Sequence, residues 1–254
     1  MKSWLLSCMH GRGDDRAMRG NAAEVYLDVW PARATTATQV RLRRREADWA
    51  VDARDTRGNP IRFCGHGALA AARVALDQGD LAAEPLVFVS AAQRWTGRRA
   101  TGGAEQISLS FARPPLTACP VPPGAALWLG VEPHAAATSG ADDDYLVLEV
   151  AGADQVRQAQ PDAAAICAAT RRALVLTSLA ASGPVFRYFA PQYGDTEDTA
   201  TGSAAVQLGA YWRERAGLDA ADYVQLSAGG GRMSVRCHTD TVELSARVEY
   251  GAAP

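Results

Sequence analysis

Two short stretches hold the side chains best suited to chemistry. The first, FCGHGALAAARVAL, begins at Phe63 and sets the thiol of Cys64 two residues before the imidazole of His66. The second, RYFAPQYGDTEDTATGSAAVQLGAYW, begins at Arg187 and sets the carboxylate of Asp198 five residues before the hydroxyl of Ser203. A turn of that length can bring Asp198 beside Ser203, and a carboxylate there is suited to general acid–base work. A neutral imidazole at the mouth of a helix, where the dipole disfavours imidazolium, can give or take a proton near neutral pH. The same residues serve equally well as structure. Cys64 fits as a small packing residue, His66 as a partner for backbone groups, and Asp198 or Thr201 as a helix cap. Spacing alone leaves both possibilities open.

The elements that must position these residues are mostly strands. EVYLDVW, PLVFVSAAQRW, EQISLSFA, DYLVLEV, ALVLTSLA, VFRYFAP, DYVQLSA, MSVRCHT and TVELSARVEY are short, β-branched or aromatic, and partly alternating. Four stretches predict helices. They span about Thr36–Asp48, with threonines to cap its start, His66–Gln78 up to Gly79, Asp154–Thr170 interrupted by Pro161, and Ser203–Ala216 up to Gly217. The second and fourth open on glycines and continue as alanine-rich segments apolar on nearly every side, the mark of a buried helix. Each is flanked by strands. The chain therefore reads as α+β and duplicated, with a β-barrel-like sheet wrapped around one central helix in each half. The halves divide near the proline-rich segment FARPPLTACPVPPG, as residues 1–115 and 116–254, with the last strands free to pair back on the first half. Two helix N-termini facing each other would both attract a carboxylate.

Composition narrows the classes of function. Of 254 residues, 48% are hydrophobic and 21% charged, values of a globular chain. The net charge of -2 gives no support to nucleic-acid or anionic-membrane binding. The basic run RLRRREAD is expected on a solvated helix face. No run reaches the roughly 18 apolar residues of a membrane span, and the apolar part of MKSWLLSCMHGRG is too short for a signal peptide. The five cysteines, irregularly spaced, form no metal-binding pattern and read as reduced thiols of a cytoplasmic protein. The glycines of AGGGRM lie between strands, which fits a bulge or tight turn and no phosphate loop.

Long motifs in order then identify a resemblance. RGNAAEVYLD resembles the N-terminal Gly-Asn-Pro-Ala-Ala-Val strand of the PhzF-like family of phenazine biosynthesis, relatives of diaminopimelate epimerase, and FCGHGALAAA resembles its Cys-Gly-His signature. DYLVLEVAGADQVRQAQPDAAAI, the Asp198 segment and QLSAGGGRMSV resemble the later motifs, so the likeness runs from about Asn21 to the end. The resemblance implies two barrel-like halves with an active site between them, a homodimer, and an isomerase that moves a proton on a small carboxylated metabolite without cofactor or metal. By matching positions it implies His66 and Asp198 as proton-handling groups. Asn21, Gly65, Gly67, Thr201, Gly202 and Ser203 would line the substrate site.

This chain departs from the family in one place that matters. Members carry a Ser-Glu-Thr-Ala-Phe-like segment whose glutamate is the acid/base. Here one register, on EADW, puts Glu46 in that role; a second treats ADWAVDARDTRGNPIRFCGH as the following strand and turn and leaves the catalytic segment deleted. The related epimerases use one thiol from each half. Cys64 occupies the first of those positions, but Thr201 occupies the second. Three readings follow: a PhzF-like isomerase, a family member that only binds a small ligand, and an amino-acid epimerase or racemase.

Overall fold

A computed structural model describes residues 2–12, 17–32, 35–79 and 84–251. The first strands are β1 (Ser3–Cys8), β2 (Gly11–Arg12), β3 (Ala17–Met18), β4 (Asn21–Leu27), β5 (Thr38–Arg44), β6 (Trp49–Arg54) and β7 (Pro60–Ile61). Helix α1 (Gly65–Gln78) follows, then β8 (Leu86–Val89), β9 (Arg94–Arg99), β10 (Gln106–Ala112) and β11 (Leu116–Cys119). The second half continues with α2 (Ala125–Leu129), β12 (Ala135–Ser139), β13 (Tyr145–Glu149), α3 (Ala153–Gln158), α4 (Ala163–Ala169), β14 (Ala173–Ala180) and β15 (Gly183–Phe189). It ends with α5 (Gly202–Ala216), β16 (Ala220–Gln225), β17 (Gly231–Cys237) and β18 (Thr241–Tyr250).

Hydrogen bonding runs through β1, β4, β5, β6, β8, β9, β10 and β18, and β18 returns to β1, so eight strands close a barrel. Helix α1 fills it, packing on strands all round the ring. Every residue from Gly65 to Leu76 except Arg73 is buried. Alanines at 68, 70, 71, 72 and 75 let the strands come close on all sides. From β18 the ladder continues through β17, β16, β15, β14, β13 and β12 to β11, forming a second, open sheet. It wraps α5, whose residues 202–212 are buried without interruption. Strand alternation sets which side chains reach this core. In β17, Met233, Val235 and Cys237 are buried while Arg232, Ser234 and Arg236 are exposed.

One expected element is corrected. Thr36–Asp48 is not a helix: its residues 38–44 form β5, parallel to β4 and antiparallel to β6. The period is two, with Val40 and Leu42 fully buried and Arg41 and Arg43 between them. Asp52, directly across from Arg41 in β6, accepts from both arginines, at 2.7 Å and 3.0 Å. The two arginines of the basic run that share a strand face are thus paired with one carboxylate across the sheet. The Asp154–Thr170 stretch breaks into α3 and α4 around Pro161, and β11 lies inside the proline-rich segment. None of the five cysteines is in a disulfide. No helix among the described residues is long and apolar enough to cross a membrane.

Candidate active site

The two central helices meet at their N-termini. A Cβ on Gly65 would lie 2.5 Å from the Ser203 nitrogen, and one on Gly202 would lie 3.3 Å from the Gly65 Cα. At Gly65 only glycine permits this approach, because real Cβ contacts do not fall as short as 2.5 Å, and at Gly202 the fit is tight. The positive ends of both helices therefore converge on one place.

Asp198 lies just ahead of α5 and is held by three donors. Its Oδ1 accepts from Asn21 Nδ2 at 2.7 Å and from the Thr199 nitrogen at 2.9 Å, and its Oδ2 from Thr201 Oγ1 at 2.6 Å. Gln225, fully buried on β16, completes the frame: its Oε1 accepts from the Thr201 nitrogen at 2.6 Å and its Nε2 donates to the Asp198 carbonyl at 2.6 Å. Thr201 is the N-cap of α5, yet its side chain caps nothing on that helix. The first amides of α5 are thus without a side-chain cap, as suits an end that would bind an anion.

Across the junction, His66 is buried in the first turn of α1. Its Nδ1 lies 3.5 Å and its Nε2 3.6 Å from Cys64 Sγ. The sulfur in turn caps α1 by accepting from the Gly67 nitrogen at 3.3 Å. Burial opposes a charged imidazole, but Cys64 and the negative charge of Asp198 outweigh it and push the His66 pKa up to about 9. Burial likewise drives the Asp198 carboxyl above its ordinary range, against the pull of His66, Thr201, Thr199 and Asn21. The remaining wall is aromatic. Burial pushes the Tyr145 phenol up to about 12, opposed by a hydrogen bond with Ser203. Tyr188 stands 6.4 Å from Tyr145, ring centre to ring centre, and is pushed up by burial and by the charges of Tyr145 and Asp198.

Of the residues singled out from sequence, Asn21, Gly65, His66, Gly67, Asp198, Thr201, Gly202 and Ser203 fall together at this junction. Glu46 does not. It is exposed in the turn after β5, and β5 runs parallel to β4 with its Thr38 end beside the Asn21 end. The length of β5 therefore separates Glu46 from the junction, about 20 Å at 3.3 Å per residue. Glu197, next to Asp198, turns away to a two-pronged pair with Arg187 at 2.7 Å and 2.8 Å. Tyr145, Tyr188 and Gln225 were not foreseen. Their one signal in the sequence is a polar or phenolic group inside an otherwise apolar strand. Among the described residues no three His, Cys, Asp or Glu side chains converge as metal ligands.

Comparison with known proteins points one way. Residues 56–249 match the family described as phenazine biosynthesis-like protein. An uncharacterized isomerase of Vibrio cholerae is 34% identical over 185 residues, 71% of this chain and 62% of that protein, so the chain matches less than two thirds of that relative's length. An uncharacterized isomerase of Pseudomonas aeruginosa is 31% identical over 246 residues, 91% of this chain and 90% of the relative. In fold, the chain is similar to a PhzF-family phenazine biosynthesis protein of Enterococcus faecalis, with a TM-score of 0.82 at 22% identity over 98% of this chain and 96% of that one.

Proposed function

Because this chain belongs to the phenazine biosynthesis-like protein family, we propose that it is an isomerase that moves a proton on a small carboxylated metabolite, without a cofactor, at the junction of α1 and α5. The observation that carries this reading is the close approach of Gly65 and Gly202, which sets His66 and Asp198 beside two helix N-termini. The substrate carboxylate would take the uncapped amides of α5 and the Ser203 hydroxyl. His66 would carry the proton. Asp198, fixed by Asn21, Thr199 and Thr201, would hold the imidazole charged and oriented. Gly65 and Gly67 would keep the α1 side of the site free of side chains.

The test is solvent exchange. Candidate carboxylated metabolites incubated with the protein in D2O should gain one mass unit. Asp198→Asn should slow that gain at least about 100-fold while the circular dichroism stays unchanged, the usual scale for a positioned proton-transfer group. Exchange at the parental rate in this variant would remove Asp198 from the chemistry.

The position of Glu46 favours one competing reading, a protein that binds its ligand and does not turn it over. A ligand that binds at the junction but exchanges no hydrogen would establish it. An epimerase with two thiols would need a thiol where Thr201 stands. Residues 1–115 and 116–254 would act as the two walls of the site. A cytoplasmic homodimer completes the proposal. Among the described residues the outer edge of β11 pairs with no strand, an edge a second copy can cover. A monomeric mass in light scattering at micromolar concentration would exclude the dimer.

A further inference from the structure

Three residues of the junction have chain neighbours that face the opposite way. On β15, Tyr188 looks to the junction, and Arg187 lies on the other face of the strand, its guanidinium 4.9 Å from the centre of the Phe189 ring. In the loop ahead of α5, Asp198 turns to Asn21 and Thr201 while Glu197 turns to Arg187. At the end of β16, Gln225 frames Asp198, while Leu226 packs into a separate apolar cluster with Phe189, Val156 and Ile166, from β15, α3 and α4. Arg187, Glu197 and Leu226 line a recess of about 680 Å³ on that outer side. The second sheet is thus a wall with the candidate active site on one face and a cavity behind it. We infer that this recess is a second ligand site, for a metabolite carrying an anionic group, and that its occupancy loosens the hold on Asp198. The inference goes beyond the isomerase reading and rests on it only for the reaction that is regulated.

Size and charge define the ligand. The volume lies in the range of small-molecule sites. The charged and amide side chains in the lining are Arg157, Gln158, Gln160, Arg187 and Glu197. Glu197 is spent on Arg187, accepting from its Nε at 2.7 Å and its Nη2 at 2.8 Å. That pair is neutral, so Arg157 leaves the lining with an excess of positive charge. The partner of Arg157, Asp154 at 2.9 Å, is 84% exposed and lies outside the recess. A pair so open to water holds its members weakly, and Arg157 is able to turn to a ligand. Nη2 of Arg187 carries two hydrogens and gives one to Glu197; the other meets no acceptor among the described residues. The exposed carboxamides of Gln158 and Gln160 add N–H donors at the rim. Two guanidinium groups with open donors suit a carboxylate or a phosphate.

The path from the recess to the junction is one peptide bond long. Arg187 is tethered, because its Nη1 donates to the Ala159 carbonyl at 2.6 Å and the Val156 carbonyl at 3.3 Å. Glu197 lies in the loop ahead of α5. An anion that takes the open donor makes one guanidinium serve two anions. The member free to give way is Glu197, and Asp198 moves with it. Occupancy of the recess therefore slows proton transfer at the junction.

The experiment uses the full chain with inorganic phosphate and succinate as probes, at constant ionic strength because anion binding is screened. In an NMR titration the backbone amides of Gln158, Gln160 and Leu226 should shift, with a Kd of about 1 mM or tighter. The tighter of the two probes identifies the group as phosphate or carboxylate. Arg157→Gln, on the surface, should weaken binding at least about tenfold, while Ser203→Ala, at the junction, should leave it within about twofold. With the recess filled, backbone amides in 195–201 should exchange with deuterium at least about threefold faster. Solvent exchange into a substrate should slow at least about fivefold in the parent and not in Arg157→Gln, whose basal rate stays parental. No shift with either probe up to about 20 mM, or binding lost in Ser203→Ala and kept in Arg157→Gln, overturns the site. Binding that leaves the 195–201 amides unchanged or slower overturns the link to Asp198. If no metabolite exchanges hydrogen even with the parent, the isomerase reading fails, and the titration and the amide exchange decide this inference without it.

Discussion

At the mouth of α1 the first turn is capped by a single soft atom, Cys64 Sγ, which also touches His66. At the mouth of α5 the N-cap residue, Thr201, leaves its own helix uncapped and is bound into a frame of Asp198, Asn21 and Gln225 whose four shortest contacts are 2.6–2.7 Å. The two helices share glycine openings, alanine-rich bodies and an enclosing sheet. They differ in where the polar groups spend their hydrogen bonds. The α5 mouth commits them to rigidity and keeps its amides open. The α1 mouth holds titratable groups in loose, weak contacts. A protein that must both hold an anion and move protons gains from that division, since precise donors and mobile protons place opposite demands on a hydrogen bond.

Breaking the rigid mouth should cost the most. Gln225→Ala leaves the Thr201 nitrogen and the Asp198 carbonyl buried without their partner. At about 1–3 kcal/mol for each unsatisfied group, chemical denaturation should show a loss of about 3 kcal/mol. A loss below about 0.5 kcal/mol would mean that water enters and the frame is not dry.

The charged mouth should declare itself through pH. A His66 pKa raised from 6.5 to about 9 makes the folded state bind the proton more tightly than the unfolded chain does. The stabilisation is therefore complete below pH 6.5 and disappears as pH rises through about 9. The raised Asp198 carboxyl acts in the same sense at lower pH. Relative to His66→Asn, the parent should lose about 3 kcal/mol between pH 6 and pH 10. A flat difference across that range would show that His66 is neutral in the fold.

The point where the mouths touch comes next. Gly65→Ala puts a methyl 2.5 Å from the Ser203 nitrogen, with backbone on the far side and nothing flexible to yield. The expected destabilisation is about 2 kcal/mol, and Asp198→Asn should add to it less than its full effect if both act through one junction. The smallest effect sharpens the comparison by its absence. Glu46→Gln, exposed in the β5–β6 turn, should change stability by less than about 0.5 kcal/mol and leave solvent exchange at the parental rate. A large loss of exchange would return Glu46 to the chemistry.

Much of this arrangement was legible in the sequence because it is local. The glycine openings, the apolar helices and the acid ahead of Ser203 are each contained within about twenty residues. Strand β5 was misread because threonines mark helix starts and a run of arginines resembles a wetted helix face. The decisive clue was the alternation of Val40 and Leu42 with Arg41 and Arg43, which becomes clear only when Asp52 is seen across the ladder. The assignment of Glu46 had a different source, the acid-x-x-aromatic spacing of EADW, which was one of two registers. Tyr145, Tyr188 and Gln225 were invisible for a different reason. They reach the junction through the register of β13, β15 and β16, such as the parallel pairing of Phe186 with Gln225, and nothing near them in the chain announces that register.

Strand β18 gives the molecule an order in time as well as in space. It hydrogen-bonds to β1, β10 and β17, and its buried Val242, Leu244, Ala246 and Val248 are part of the core that surrounds the helices. While the ribosome is still making the second half, the first barrel therefore has seven of its eight staves. The edges of β1 and β10 stand open, and the greasy α1 has a gap along its side. Of the described strands, the one that comes last in the chain seals the first compartment begun. A nascent chain of this design is exposed to edge pairing with its neighbours until β18 has emerged. A frameshift before residue 241 would remove a stave from both halves at once, not trim one end.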